Sequence, residues 1–160
     1  MANEMADPYI ALKSFQEALR SGDIFPSPGE AHQDLLVLLD KPNGEMRLTY
    51  ALVKDETIVA IAMFIAADPF EGYPCFNSGY AVDESHRSKG FGKEVTSKAF
   101  DEMTNGFKRS GVPHLYVEAV ISQNNTHSNK LAKSLFSDSP DAVTDSESGQ
   151  PALHYLKKLY

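Results

Sequence analysis

The hexapeptide RSKGFG at residues 87–92 has the residue types of an anion-binding turn. It lies between an apolar stretch typical of a strand and an amphipathic stretch typical of a helix. The N-terminus of a helix leaves backbone N–H groups unpaired and carries a partial positive charge, so it holds anions well. Gly90 and Gly92 have no side chain, so they would let those amides approach a phosphate closely. The turn therefore predicts a phosphate-binding site.

Basic residues are concentrated at this turn, although the chain is acidic as a whole, with a formal net charge of −7. His86, Arg87, Lys89 and Lys93 cluster around the two glycines. A bound polyanion explains this local excess of positive charge. Two other phosphate motifs do not fit, because the Gly-Lys-Ser/Thr ending of a Walker A loop is absent and Val95 replaces the third glycine of the dinucleotide-binding fingerprint.

The pattern Arg-x-x-Gly-x-Gly after a strand, formed by Arg87, Gly90 and Gly92, resembles the acetyl-coenzyme A signature of the GNAT acetyltransferase superfamily. The resemblance is closer to the branch that acetylates protein N-termini, the ribosomal-protein alanine and serine acetyltransferases. In that branch a Gly-Tyr pair precedes the turn, as Gly79 and Tyr80 do here. The resemblance implies a GNAT-like fold.

A second family signature, Asn-x-x-Ser-x-x-apolar, is matched by Asn125, Ser128 and Leu131. The two signatures lie at the separation usual in the family, and the resemblance covers residues 58–136. It implies an enzyme that moves an acetyl group from acetyl-coenzyme A to a primary amine, by direct attack in a ternary complex. It also implies that the strands at 76–82 and 115–121 splay apart and leave the thioester between them.

The resemblance implies which residues contact the coenzyme. The strand before the turn would offer backbone groups to the pantetheine arm, and the turn would hold the phosphates. Asn125 is equally well explained as the N-cap of the next helix. The implied coenzyme-binding residues are Ala81, Val82, Arg87, Ser88, Lys89, Gly90, Phe91, Gly92 and Asn125.

Two side chains are the candidates for catalysis. Many family members protonate the departing thiolate with a Tyr at the position of Ala132, so Ser128 becomes the candidate to protonate or hydrogen-bond the sulfur. Glu118 is the preferred general base because it interrupts an otherwise apolar strand, and Asp83 and Glu84 are the alternatives. Ser128 is equally well explained as a small residue of a first helical turn. The alternative explanation of Glu118 is a solvent-facing strand residue.

The acceptor is not identified by the sequence, since a protein N-terminus and a small-molecule amine both fit. An acidic surface attracts cations, so the net charge is compatible with an amine. The alternative function is a catalytically inactive, acyl-coenzyme A-binding regulatory module, because a fold does not fix a function. The acyl chain length and the formation of a homodimer are left open.

The spacing of apolar residues predicts the elements that must position these groups. Helices are predicted over residues 9–20, 30–39 and 89–105 and after Asn125, with Gly22 and Gly106 as stops of the first and third. Strands are predicted over residues 46–53, 57–66, 76–82, 115–121, 142–144 and 152–160. Together with the resemblance, this order predicts one GNAT-like domain over residues 1–160 of the α/β (α+β) class, with a mixed, mostly antiparallel central sheet and helices on both faces.

Composition argues against several other classes of protein. The single cysteine, Cys75, can form no internal disulfide and fits a cytoplasmic setting. The N-terminus lacks the basic start and apolar core of a secretory signal, and no apolar run approaches the roughly 18 residues of a membrane span. An acidic chain does not favour nucleic-acid binding. No metal site is expected, because the five histidines show no i,i+4 pairing and no cysteine partner.

Overall fold

The computed structural model describes residues 7–160, so the first six residues of the predicted domain, and most of the N-terminus searched for a secretory signal, lie outside it. The helices are α1 (Pro8–Ser21), α2 (Phe91–Arg109) and α3 (Thr126–Leu135). The strands are β1 (Ser27–Pro28), β2 (Leu35–Asp40), β3 (Arg47–Lys54), β4 (Thr57–Ala66), β5 (Cys75–Val82), β6 (Tyr116–Ser122), β7 (Asp141–Thr144) and β8 (Pro151–Lys158). None of the helices in this part of the chain is long and apolar enough to cross a membrane.

All of these strands belong to one sheet, in the order β1-β2-β3-β4-β5-β6-β8-β7. Neighbouring strands are antiparallel except β5 and β6, which are parallel. Parallel strands need a long crossover connection, and α2 provides it. The predicted mixed, mostly antiparallel sheet is confirmed.

The sheet is covered by helices on both faces, as predicted. On one face α2 and α3 contribute Val95, Ala99 and Leu135 to a core with Phe64 of β4. On the other face Leu12 of α1 packs in a second core. Because β4 is buried on both sides, its sequence is a continuous apolar run without alternation.

The helix predicted over residues 30–39 is wrong, because the apolar part of this segment forms β2. Leu35 and Val37 pack in the core under α2, whereas Leu36 and Leu38 pack in the core under α1. A short run that is apolar on both faces has no periodicity that separates a strand from a helix. Pairing with β3 along its whole length makes it a strand.

The stop predicted at Gly106 is also wrong, because α2 continues to Arg109. A Cβ added at Gly106 would meet no atom within 4 Å, so neither a close contact nor a turn requires this glycine. The chain leaves the helix through Ser110 and Gly111, which has a φ of +82°. The other predicted elements are confirmed, with ends that move by a few residues.

Candidate active site

The centre of the sheet opens between β5 and β6. These two strands pair only from Cys75 opposite Tyr116 to Asn77 opposite Glu118. Beyond that point β5 stays paired with β4 and β6 stays paired with β8. The predicted splaying of the two strands is confirmed, and a cavity of about 850 Å³, the splay cavity, lies at the opening.

The turn before α2 has the backbone of a helix start that no side chain caps. Gly90 occupies the N-cap position with a φ of +81°, and Ser88 has a φ of +63°. Because the first amides of a helix have no partner within it, the uncapped turn leaves N–H donors free for another acceptor. The turn is therefore suited to an anion.

The two glycines of the turn are required for different reasons. Gly90 is in the left-handed region, which favours glycine. Gly92 is buried against β5, where an added Cβ would lie 2.9 Å from Cε2 of Tyr80. Gly92 therefore lets α2 pack closely on the Tyr80 ring, an intramolecular role that the sequence analysis did not anticipate.

A cleft of about 560 Å³, the turn cleft, lies over this helix start. Lys89, which the resemblance placed in the coenzyme site, is exposed and is not in the lining of the cleft. The other predicted coenzyme-binding residues are brought together in the lining: Ala81, Val82, Arg87, Ser88, Gly90, Phe91, Gly92 and Asn125. The turn cleft joins the splay cavity, because both share the walls formed by Tyr80, Asn125 and Ser128.

Arg87 is held at the edge of the turn cleft by two neighbours. Its Nε donates to the carbonyl of Val82 at 3.4 Å, and its guanidinium carbon lies 5.3 Å from the centre of the Tyr9 ring. The side chain nevertheless remains exposed. Its charge is thus available beside the uncapped amides of α2.

The predicted acid candidate, Ser128, has a hydroxyl partner. The hydroxyls of Ser128 and Tyr80 lie 3.1 Å apart. The N–H of Ser128 donates to Oδ1 of Asn125 at 3.0 Å, so Asn125 is the N-cap of α3 and fixes its first turn. From the sequence Tyr80 is only part of a family motif, because its partner lies 48 residues further along the chain and no pattern connects the two.

The predicted base candidate, Glu118, is paired with a residue that the sequence analysis missed. Nε2 of His154 on β8 donates to Oε2 of Glu118 at 2.8 Å, and both side chains line the splay cavity. Each of the two side chains is 25% exposed. The hydrogen bond from His154 to Glu118 raises the pKa of His154 above its ordinary value.

The register of the sheet brings this pair together. His154 lies opposite Val120 and Glu118 lies opposite Leu156, so the two are diagonal neighbours on one face. Strand register between β6 and β8 was not part of the sequence prediction, so no signal in the sequence connected these two residues.

The alternative bases are not brought to either cavity. Asp83 is buried and accepts hydrogen bonds from Gln16 and Lys13, each at 3.0 Å, and from the N–H of Ser85. These bonds, led by that from Gln16, hold the pKa of Asp83 well below its usual range. Asp83 therefore anchors α1 at the end of β5, and the exposed Glu84 lines neither cavity.

Cys75 lies in the wall of the splay cavity but is not suited to be a nucleophile. Burial raises the pKa of its thiol to about 12, so the thiolate is not formed near neutral pH. Within residues 7–160, no group of three or more His, Cys, Asp or Glu side chains is arranged to hold a metal ion.

The splay cavity is acidic. Within the described part of the chain, no Lys or Arg lines it, and His154 is its one basic side chain. The carboxylates in its walls are Asp68, Glu118, Asp145 and Glu147. Such a cavity attracts cations and repels anions.

Comparisons with known proteins identify a family for most of the chain. The sequence profile of the Acetyltransferase (GNAT) family matches residues 12–136. No curated protein matches the sequence.

Three similar solved structures are distant in sequence. An acetyltransferase from Salmonella typhimurium that modifies the N-terminal serine of a 50S ribosomal subunit protein is 17% identical, with a TM-score of 0.52 over 69% of this chain and 63% of that chain. A ribosomal α-N-protein acetyltransferase in complex with coenzyme A has the same identity and TM-score over 69% of this chain and 61% of that chain. A chimeric spermidine N-acetyltransferase from Vibrio cholerae is 12% identical, with a TM-score of 0.55 over 73% of this chain and 68% of that chain. This chain thus spans less than two thirds of the first two relatives, and at these identities the likeness is one of fold.

Proposed function

The chain belongs to the GNAT family of acetyltransferases, and from this premise we propose that it transfers an acetyl group from acetyl-coenzyme A to a primary amine. The observation that carries the proposal is the pair of joined cavities, one over the uncapped start of α2 and one between the separated strands. The first suits a polyanionic coenzyme, and the second suits a cationic acceptor. The cytoplasmic setting expected from the single cysteine is part of this proposal.

The residues of the turn cleft fit coenzyme A. Its phosphates would accept from the free amides of α2, with Arg87 beside them. Its pantetheine arm would pair with the edge of β5 that β6 leaves free beyond Asn77. Oγ of Ser78 is buried in the wall of the splay cavity and has no hydrogen-bond partner among the described residues. A buried polar atom without a partner supports a bound molecule at this point.

The two side-chain pairs lie on opposite faces of the sheet, with the opening between them. Successive residues of a strand point to opposite faces of the sheet. Ala81 of β5 packs in the core under α1, so its neighbour Tyr80 points to the face covered by α2 and α3. Val117 of β6 packs in the core under α2, so its neighbour Glu118 points to the opposite face, which α1 covers. A coenzyme reaching the opening from one face and an amine reaching it from the other would meet there, as direct attack in a ternary complex requires.

The amine must lose a proton before it can attack the thioester. A lysine side chain has a free pKa of about 10.4 and an N-terminal amine one of about 8, so both are mostly protonated near neutral pH. The Glu118–His154 pair is the group in the cavity that can take up this proton. A positioned base contributes about 10²–10⁴ to the rate.

The departing thiolate needs a hydrogen-bond donor. Ala132, at the position of the family's tyrosine, is buried and has no polar group. We assign this role to Ser128, with the hydroxyl of Tyr80 3.1 Å away as the source from which its proton is replaced.

The acceptor belongs to the class of cationic primary amines, either a protein N-terminus or a small molecule. The carboxylates of the splay cavity support this class, because they favour a positively charged amine over a neutral or acidic one. Two of the structural relatives carry names of this kind, one acting on an N-terminal serine and the other on spermidine.

Thiol release from acetyl-coenzyme A tests the proposal. The purified chain is assayed with a panel of N-terminal peptides, polyamines, amino acids and aminoglycosides, and coenzyme binding is measured by calorimetry. We expect turnover with at least one cationic amine. Binding of the coenzyme with no thiol release across the panel would instead support the inactive, acyl-coenzyme A-binding regulatory module.

A further inference from the structure

The imidazole of His154 is the feature of the splay cavity that the sequence analysis did not use. Among the described residues that line the cavity, it is the one basic side chain. It is hydrogen-bonded to Glu118, which is the preferred base from the sequence. Because Nε2 is committed to Glu118, the neutral ring has its lone pair on Nδ1. No described residue hydrogen-bonds to that Nδ1.

We propose that Nδ1 of His154 takes the proton from the acceptor amine and that Glu118 is a positioning residue that orients the imidazole. This inference rests on the proposed function. It assigns the pair the arrangement in which a carboxylate holds one ring nitrogen so that the other is free to act. The protonated ring is then an imidazolium that is hydrogen-bonded to the Glu118 carboxylate.

Relative basicity favours the imidazole over the carboxylate. An ordinary glutamate has a pKa of about 4.3 and an ordinary histidine one of about 6.5, against about 8 for an N-terminal amine. Proton transfer from the ammonium to an imidazole is therefore less unfavourable than transfer to a carboxylate, by about two pKa units. The hydrogen bond to Glu118 raises the pKa of His154, which brings it closer to the pKa of the amine.

The charged groups around His154 come from several elements. Glu118 on β6 bonds to it, and Asp141 on β7, its neighbour in the sheet, also raises its pKa electrostatically. Burial acts in the opposite direction and lowers the pKa of His154. The remaining acidic side chains of the same cavity are Asp68, Asp145 and Glu147.

The proton and electron balance of the step is closed. The ammonium gives one proton to Nδ1, and the freed nitrogen lone pair forms the C–N bond of the amide while the C–S bond breaks. The second proton of that nitrogen ends on the departing sulfur by way of the Tyr80 and Ser128 hydroxyls, each of which gives up one proton and receives one. The imidazolium then releases its proton to solvent, so no other reactant is needed.

The test compares His154→Gln and Glu118→Gln in the pH dependence of kcat/KM with the best amine of the panel. We expect His154→Gln to lower kcat/KM by about 10²–10⁴. Glu118→Gln should lower kcat/KM by a smaller factor. It should also move the pH at which kcat/KM reaches half its maximum to a lower value, because the imidazole loses the carboxylate that raises its pKa. His32→Gln is the matched control, since His32 pairs with Asp101 at 2.7 Å outside both cavities.

Two further measurements separate a chemical role from a structural one. Exogenous imidazole should restore activity to a His154→Ala variant, and the imidazole resonances of His154 should titrate at lower pH in Glu118→Gln than in the parent chain. If Glu118→Gln abolishes turnover while His154→Gln keeps it within about threefold, the inference is overturned and the proposed acetyl transfer still stands. A parent chain that turns over no amine would overturn both.

Discussion

The turn cleft and the splay cavity are built in different ways. The turn cleft is centred on the turn before α2, whose backbone is shaped by Gly90 and Gly92. The splay cavity depends on side chains that are distant in sequence, as in the pair of Glu118 with His154, 36 residues apart. A site made from local backbone is visible in a sequence, whereas a site made from strand register is not.

The comparison predicts that the two regions fail differently when they are altered. Changes in the splay cavity should lower kcat, because its side chains act on the reacting groups. Changes in the turn cleft should weaken the binding of the coenzyme or the packing of α2, and should leave kcat largely unchanged.

Apart from changes to the Glu118–His154 pair, the largest effect is expected for the hydroxyl pair of the splay cavity. Tyr80→Phe keeps the ring against Gly92 and removes only the hydroxyl, so kcat should fall by about 10² while the KM for acetyl-coenzyme A changes little. Steady-state kinetics of thiol release measure both. Tyr160→Phe is the control, because that hydroxyl donates to the carbonyl of Val112 outside both cavities. An equal loss in the two variants would contradict a specific role for Tyr80.

The next effect concerns the packing of the turn. Gly92→Ala places a Cβ against the Tyr80 ring and should lower the free energy of unfolding by about 1–3 kcal/mol. Gly106→Ala, in the same helix with open space around it, should raise the free energy by about 0.5–1 kcal/mol. Urea unfolding of both variants measures the difference, and equal changes would mean that the contact with Tyr80 imposes no constraint.

Removal of the exposed charge of the turn should act on the coenzyme alone. Arg87→Ala should raise the KM for acetyl-coenzyme A about tenfold, since a hydrogen bond to a charged group contributes about 1.5–3 kcal/mol. Its kcat should stay within about twofold. Arg20→Ala is the control, because Arg20 pairs with Glu17 at the far end of α1. An unchanged KM in Arg87→Ala would remove the phosphate-binding account of the turn.

The smallest effect is expected at Asp83, which anchors α1 and lies outside both cavities. Its pKa is lowered in the folded chain, so the carboxylate contributes stability above its unfolded pKa of about 3.9 and loses it as the pH falls toward the folded value. Asp83→Asn should therefore lower the free energy of unfolding by roughly 1 kcal/mol at pH 7. The gap to the parent chain should shrink below about pH 4, and urea unfolding at pH 7 and pH 3 measures it. A constant gap would contradict the ionic role of Asp83.

The fold could be predicted from the sequence where the apolar residues are periodic or where longer apolar, partly β-branched runs are joined by a short polar link. The hairpin of β3 and β4, the strand–turn–helix around residues 87–92 and the splayed strands were all predicted, the last through the family resemblance. β2 was mistaken for a helix because its five apolar residues cover both faces of the strand. Gly106 was mistaken for a helix stop because an interior glycine costs only about 1 kcal/mol, which packing offsets.

The candidate site could be predicted less completely than the fold. Except for Lys89, the predicted turn residues and Asn125 line one cleft, because their positions depend on local backbone geometry. His154 was missed as the partner of Glu118 because that contact depends on how β8 registers against β6. The hydroxyl of Tyr80 was missed because its contact with Ser128 depends on where α3 lies over the opening.

The measurement that tests the central claim most directly is the stoichiometry of product formation with the best amine. Mass spectrometry of the amine and thiol quantification are made on the same reaction. The account predicts one N-acetylated amine for each molecule of coenzyme A released. Thiol release without acetylated amine, or coenzyme bound at the turn with neither product formed, would contradict acetyl transfer across the opening between β5 and β6.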